Sequence, residues 1–154
     1  MGKFMGSLYN TDIIAWSHEQ AALLRAGRWR ELDLDNIVEE IEDVGKNFQR
    51  ECDSRFAVLI THLLKWKYQK EFRSRSWRST IDTQRSKIAR RLRRTPSLRH
   101  TLVEEEWLRD VWGDGVDDAK HETGLDVFPD EPLWPVTTIL DPTFFPEQGD
   151  ESTV

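Results

Sequence analysis

The sequence predicts an all-α protein: a single helical-bundle domain of about four helices, with a long second helix and a proline-rich C-terminal strap. Three observations support this prediction. Apolar residues recur every three or four positions over long stretches, which is the period of a helix with one buried face. Residues that favour helix starts and stops stand at the ends of these stretches. No segment alternates apolar and polar residues clearly enough to predict a strand.

Composition places the chain among folded, polar proteins. Its 154 residues fit one domain, 1–154, and its seven Trp and seven Phe argue against disorder. A lone cysteine, Cys52, excludes an internal disulfide and any multi-cysteine metal site. The sequence has neither a signal-peptide pattern nor a run of about 18 apolar residues, so we expect a cytoplasmic protein without a membrane partner.

The first helix is predicted at about residues 11–26. Thr11 is a suitable N-cap, and Asp12 adds negative charge to the first turn, where the helix dipole favours it. Gly27 follows the last apolar residues and is expected to stop the helix.

The second helix is predicted over about residues 34–68, after a cap at Asp33 or Asp35. A straight helix of this length would run roughly 50 Å, whereas a compact domain of this size is about 40 Å across. Either Gly45 kinks the helix or one end needs a partner, so a homo-oligomer through residues 34–68 is one expectation. The apolar series along this helix consists of Ile37, Ile41, Val44, Phe48, Cys52, Phe56, Leu59, Leu63 and Trp66.

Two further helices are predicted after this one. The third, about 76–94, follows two serines that can cap it, Ser74 and Ser76. The fourth begins at Thr95–Pro96, a cap followed by a proline at the first helical position, and ends near Thr123.

The remaining chain is expected to pack on the helices as an irregular strap. From Val127 onward it contains five of the six prolines, and one short helical turn is predicted before Asp141. Residues 1–8 and 147–154 are expected to fray.

Charge is divided into blocks along the chain. Residues 65–100 contain 13 basic and 2 acidic side chains, whereas residues 101–154 contain 2 basic and 15 acidic side chains. The two blocks can neutralise each other within the fold, or the basic block can be open to a polyanion. We favour the first interpretation, because like charges at this density destabilise a compact state.

Four blocks of the sequence, taken together, point to a family. They are "YNTDIIAWSHEQAALLRAGRWRELDLDNIVEEIEDVGK", "LLKWKYQKEFRSRSWRSTIDTQR", "RRTPSL" and, more weakly, "ETGLDVFPDEPLWPVTTILDPTFFP". This combination, over about residues 9–146, resembles the bacterial domain-of-unknown-function family 29. The resemblance implies an all-α bacterial protein, but it brings no catalytic residue, ligand or partner. Lys70 departs from the proline that family members often have there, which puts the rigidity of this turn in doubt.

Two arginine–histidine pairs are candidate catalytic residues: Arg55 with His62, and Arg94 with His100. Their spacing resembles the ribonuclease motif of the all-α HEPN superfamily, in which the arginine offsets phosphate charge and the histidine moves a proton. With 15 arginines in the chain, one such match is expected by chance. The position of His62 is also typical of a partly buried histidine with a structural role. The sequence therefore leaves open whether the protein is an enzyme.

The basic block contains a candidate polyanion-binding patch. Basic residues, including Arg85 and Lys87, spread over most of the outer surface of helix 76–94, and phosphate contacts need such charge. Trp66 and Trp77 fall on apolar positions, so they are expected in the core rather than stacked on bases. Nucleic acid is therefore a partner that the sequence allows but does not favour. The patch consists of Lys65, Lys67, Arg73, Arg75, Arg90, Arg91 and Arg94.

The sequence argues against metal and cofactor chemistry, and we expect neither. Glu-x-x-His and His-Glu-x-x-His patterns do not occur. The acidic run Glu39–Asp43 is read as the solvated side of the second helix, because no second acidic pair follows to complete a magnesium site. The nucleophile elbow, the Gly-rich phosphate loop and the dinucleotide fingerprint are also missing.

Two classes of function follow. We favour a non-enzymatic interaction module. The alternative is RNA-directed binding or HEPN-like ribonuclease activity through the basic helix 76–94. The acidic C-terminal third distinguishes them: if it covers that helix, the basic block is used internally, and if it does not, polyanion binding gains weight.

Overall fold

A computed structural model describes residues 5–147 of the protein. All regular structure in this part of the chain is helical, which confirms the predicted all-α class. Short 3-10 turns at Trp29–Glu31, Lys70–Phe72 and Pro96–Leu98 link several of the helices. The α-helices are α1 (Met5–Thr11), α2 (Ile13–Arg25), α3 (Leu34–Tyr68), α4 (Arg75–Arg94), α5 (Arg99–Leu102), α6 (Glu105–Thr123) and α7 (Val136–Leu140).

The ends of α2 and α4 lie within two residues of their predicted positions. The N-cap of α2 is Asp12 rather than Thr11, because the Asp12 carboxylate accepts a hydrogen bond of 3.0 Å from the amide of Ala15. Thr11 instead ends α1, a helix that the sequence did not predict. Ser74 caps α4 by accepting a 3.1 Å hydrogen bond from the amide of Trp77.

The prediction of one fourth helix starting at Thr95–Pro96 was wrong. That stretch forms a 3-10 turn and the four-residue α5, and a new helix, α6, begins at Glu105. Glu104 is extended at the start of α6, and two acidic residues follow in its first turn, where the helix dipole favours negative charge. Helix α6 ends as predicted, at Gly124, whose φ of 71° is a conformation that glycine adopts at little cost.

The chain divides into two compact units, Met1–Phe48 and Gln49–Val154. Residues 34–48 of α3 belong to the first unit, and the remainder of that helix belongs to the second. The predicted single domain over residues 1–154 stays a prediction. The predicted fraying of the two termini falls mostly outside the described residues.

The first unit is held together around Asp33, the residue before α3. Its carboxylate accepts a 2.9 Å hydrogen bond from the indole of Trp16, and its amide donates a 2.8 Å hydrogen bond to the side chain of Gln20. Tyr9 donates a 2.6 Å hydrogen bond to Glu40, which raises the pKa of Tyr9 to about 12. Polar contacts at the helix junction therefore position α2 beside the start of α3.

The second unit has a large apolar core. Helices α3, α4 and α6 contribute most of it, and the C-terminal segment, residues 125–147, adds three large side chains, Phe128, Trp134 and Ile139. The predicted short helix before Asp141 is α7. The buried core residues are Cys52, Phe56, Leu59, Ile60, Leu63, Leu64, Ile81, Ile88, Leu92, Leu98, Trp107, Val111, Trp112, Val116, Ala119, Phe128, Trp134 and Ile139.

A glycine allows α3 and α6 to approach closely. A Cβ atom on Gly115 would lie 2.5 Å from Cγ2 of Ile60 and 2.9 Å from its Cβ. At the same level, the Thr61 hydroxyl is 2.7 Å from the Ala57 carbonyl oxygen and 3.1 Å from that of Gly115. Glycine within a helix usually weakens it, whereas here the missing side chain avoids a steric clash between α3 and α6.

We expect Gly115→Ala to destabilise the second unit by about 1–3 kcal/mol, because the new methyl group must displace the branched side chain of Ile60. Gly113 lies on the same helix with open space where its Cβ would be, so Gly113→Ala should stabilise the protein by about 0.5–1 kcal/mol through helix propensity. Urea unfolding of both variants measures the difference. Equal changes in the free energy of unfolding would contradict the close approach of α3 and α6.

Candidate functional site

The two predicted arginine–histidine pairs do not form a shared site. Arg55 lines a cavity that contains no histidine. The Nδ1 of half-buried His62 lies 2.8 Å from the carbonyl oxygen of Val58, and burial lowers the pKa of His62, so the imidazole is neutral near pH 7. His100 is exposed on α5, whereas Arg94 lines the same cavity as Arg55. Within the described residues, neither histidine forms a hydrogen bond with its arginine.

The first half of the predicted basic patch contacts acidic residues and the C-terminal segment. Lys65 forms an ion pair of 2.9 Å with Glu122. Lys67, expected to be exposed, is instead 2% exposed, and its ammonium group lies 3.3 Å from the carbonyl oxygen of Glu147. Arg73 forms an ion pair of 3.2 Å with the side chain of Glu147. These three cations therefore pair with groups of the same chain.

Arg85 was expected on the outer surface of its helix, but it is buried and only 4% exposed. Its guanidinium donates hydrogen bonds to the carbonyl oxygens of Ile139, at 2.9 Å, and Phe144, at 2.7 Å. A signal for this burial was present in the sequence. Arg85 stands four residues after Ile81 and three before Ile88, so it belongs to the apolar stripe of α4.

The second half of the patch forms one wall of a small cavity, which we name the basic cleft. Its volume is about 190 Å³. It combines Arg90, Arg91 and Arg94 of the predicted patch with Lys87, and with Arg55 from α3. The four α4 residues are spaced i, i+3, i+4 and i+7, so they share one face of that helix. Arg75, the remaining member of the predicted patch, is exposed at the start of α4 and does not line the cleft.

Glu51 fixes two of the guanidinium groups of the basic cleft. It forms ion pairs with Arg55 at 3.0 Å and Arg91 at 2.5 Å, and these hydrogen bonds lower the pKa of Glu51. Arg55 also donates a 3.4 Å hydrogen bond to Gln84. Two guanidinium groups are thereby held between α3 and α4.

A second surface feature is the apolar face of α3 in the first unit. Its side chains range from 39% to 66% exposed, although the sequence pattern placed Ile41, Val44 and Phe48 on a buried stripe. Farther along the same helix, Cys52, Phe56, Leu59 and Leu63 are buried as predicted. The exposed apolar face consists of Leu34, Val38, Ile41, Val44 and Phe48.

Acidic side chains are plentiful in the second unit, but they do not assemble into a metal centre. Among the described residues, no group of three or more His, Cys, Asp or Glu side chains is placed to hold a metal ion. Burial raises the pKa of Asp114, and the neighbouring Asp117 and Asp118 add to this effect. Within the same part of the chain, no helix is both long and apolar enough to cross a membrane.

These features define an all-helical protein with a basic cleft and an exposed apolar helix face. The chain belongs to the family described as Domain of unknown function DUF29, whose model matches residues 8–145. The resemblance inferred from the sequence blocks is thereby confirmed. No curated protein and no solved structure matches the chain.

The lowered pKa of His62 predicts a pH dependence of stability. In the unfolded chain the imidazole takes up a proton below its ordinary pKa of 6.5, whereas the folded state resists protonation because the ring is partly desolvated and Lys65 is nearby. The hydrogen bond to the Val58 carbonyl oxygen and the charge of Glu122 oppose this effect only in part. Wild-type stability should therefore fall between pH 7.5 and 5.5, and His62→Gln should fall less.

Urea midpoints at the two pH values test this prediction, with His100→Gln as the control because His100 is exposed. Carboxylates contribute little in this window, since the ordinary pKa of a glutamate such as Glu51 is 4.5. If all three proteins lost the same stability, His62 would not be the responsible group.

Proposed function

We propose that the protein is a non-enzymatic interaction module that self-associates through the exposed apolar face of α3. The observation that carries this proposal is the exposure of five large apolar side chains on one helix, each between 39% and 66% exposed. Monomeric proteins rarely leave contiguous apolar surface of this kind open to water, because its burial is favourable.

Exposed apolar residues are concentrated in the first unit. Of the thirteen large hydrophobic residues exposed in the described part of the chain, nine precede residue 49. Along α3, four exposed members of the face and one glycine follow the 4-3-4-3 spacing of a coiled-coil seam. This spacing supports pairing with another helix along its length. The seam positions are Leu34, Val38, Ile41, Gly45 and Phe48.

The occupant that best fits the face is a second copy of the same helix in antiparallel orientation. Five acidic residues lie between positions 35 and 43, whereas the first basic residue of α3 is Lys46, followed by Arg50. A parallel pair would align the acidic stretches with each other, which is destabilising. An antiparallel pair places acidic against basic stretches.

Gly45 provides a crossing point for such a pair. Nothing lies within 4 Å of a Cβ built on this residue, and α3 continues through it without interruption. A two-fold axis between Val44 and Gly45 would bring Ile41 opposite Phe48, and it would place Glu42 within about one residue of Lys46 of the second copy, along the flank of the seam. The absence of a side chain at Gly45 would let the two backbones approach closely.

This proposal narrows the expected oligomer contact from residues 34–68 to residues 34–48. The later apolar residues of α3, such as Phe56 and Leu59, are already buried within their own unit. Ribonuclease activity finds little support, because the basic cleft contains no histidine to move a proton. We also infer that the C-terminal segment closes the helices as a strap, supported by the burial of Trp134 and Ile139.

We expect the purified protein to have a mass near twice the 18.2 kDa of one chain, and Ile41→Asp to weaken the dimer by roughly tenfold or more. A carboxylate at this position would be buried without a partner in the dimer but solvated in the monomer. Sedimentation equilibrium measures the dissociation constants.

The matched control is Val103→Asp, which makes the same kind of change at an apolar residue of the second unit that is 83% exposed. It should leave the dissociation constant unchanged. A monomeric wild-type protein at high concentration, or equal weakening by both variants, would refute self-association through α3.

A charge exchange tests the antiparallel orientation. Glu42→Lys and Lys46→Glu should each weaken the dimer by roughly threefold to tenfold, because each replaces two symmetry-related attractions with repulsions. The double variant restores both attractions and should regain most of the wild-type affinity. In a parallel dimer these two residues would not face each other, so the double variant would not regain affinity. A dissociation constant of the double variant close to the wild-type value, measured by sedimentation equilibrium, therefore supports the antiparallel orientation.

A further inference from the structure

The basic cleft has a composition that structural needs do not explain. Five cationic side chains line it and no acidic side chain does. Glu51 beside it pairs with Arg55 and Arg91, so among the described residues these five cations and this carboxylate together have an excess of four positive charges. Such an excess destabilises a folded protein through self-repulsion. It is the arrangement expected of a site that receives an anion.

Three of the cations are open to a ligand. Lys87, Arg90 and Arg94 are exposed, and they have no hydrogen-bond or ion-pair partner among the described residues. The acidic residues that meet the basic block elsewhere, Glu122 and Glu147, pair with Lys65 and Arg73 and not with these three. The C-terminal segment contributes nothing to the lining of the cleft.

The other two cations of the cleft are already oriented. Glu51 holds the guanidinium groups of Arg55 and Arg91, and Gln84 contacts Arg55 from α4. Helices α3 and α4 therefore each contribute one oriented guanidinium group to the basic cleft. Planar guanidinium groups donate two parallel hydrogen bonds to phosphate oxygens, which gives arginine clusters a preference for phosphate groups.

The size and lining of the cleft limit what part of a ligand it can hold. Its volume of about 190 Å³ is smaller than the roughly 300–1,000 Å³ of sites that enclose a drug-sized molecule. No aromatic side chain lines it, so it provides no platform on which a base could stack. Recognition would therefore rest on charge and hydrogen bonds to phosphate oxygens alone.

Charge matching indicates the number of phosphate groups. A phosphate monoester carries about −1.5 to −2 charge at neutral pH, so a single phosphate offsets at most half of an excess of four positive charges, whereas a diphosphate carries more charge and offsets a larger share of it. We propose that the basic cleft binds a diphosphate group, supplied either by free pyrophosphate or by a nucleotide whose base stays outside. This site uses none of the residues through which self-association is proposed, and it goes beyond that function.

Isothermal titration with pyrophosphate at low ionic strength, without divalent cations, tests the proposal. Arg90→Ala and Arg94→Ala should each weaken binding by roughly tenfold or more, because each removes charge-assisted hydrogen bonds. The matched control is Arg93→Ala: the same substitution on the same helix, at an exposed arginine that does not line the cleft. It should change the affinity by less than about twofold.

Two further ligands define the ligand class. Inorganic monophosphate should bind roughly tenfold or more weakly than pyrophosphate, because it engages fewer of the cations. Adenosine diphosphate with an affinity close to that of pyrophosphate would indicate recognition of the phosphates alone, whereas tighter binding would identify a nucleotide as the source. Both results for adenosine diphosphate support a diphosphate site.

Other results would overturn the proposal. They are no binding of pyrophosphate by the wild-type protein, equal affinity for monophosphate and pyrophosphate, or equal losses in Arg90→Ala and Arg93→Ala. Single-stranded RNA that binds and is not displaced by excess pyrophosphate would show a nucleic-acid surface instead. The melting temperatures of the unliganded variants test whether they fold. Removal of a cation that is repelled by its neighbours should leave the melting temperature unchanged or raise it.

Discussion

The second unit depends on the burial of Arg85 in the core-facing stripe of α4. A buried guanidinium is unfavourable unless acceptors bind its N–H groups. The carbonyl oxygens of Ile139 and Phe144 accept hydrogen bonds from Nε and Nη2 of Arg85, whereas its Nη1 has no hydrogen-bond partner among the described residues. These residues lie 54 and 59 positions away along the chain, so the contact fixes the C-terminal segment against α4. Phe145 reinforces the contact, with the Arg85 guanidinium 5.4 Å from its ring centroid.

Because the C-terminal segment packs against α4, the cations of the basic block fall into two groups, one paired with acidic residues and one exposed. Lys65, Lys67 and Arg73 meet Glu122 or Glu147, as expected if the acidic third of the chain neutralises the basic block. The basic cleft lies on another face of α4, and no residue of the C-terminal segment lines it. One part of the basic block is therefore paired within the protein, and the other part is exposed to solvent, because a helix presents different residues to different neighbours.

Much of the fold was predictable from local signals, and the candidate sites were predictable only in part. Caps and glycines placed the ends of α2, α3 and α4 closely, because these effects involve neighbouring residues. The sequence pattern on α3 identified the apolar series, but it did not tell that Ile41 is exposed while Leu59 is buried. Arg90 and Arg94 were recognised as binding candidates, whereas Arg55 was assigned to a catalytic pair and Lys87 was left out of the patch.

The sequence by itself determined the all-α class, the long α3 helix and the family, because helical periodicity, capping and family-specific sequence blocks each depend on residues close together in the chain. Tertiary structure decided which cations are open, whereas the burial of Arg85 was also signalled by its place on the apolar stripe of α4. It also decided that Gly115 serves a close contact with Ile60. The physical reason is the same in each case: desolvation, charge pairing and steric fit depend on partners that are distant in sequence.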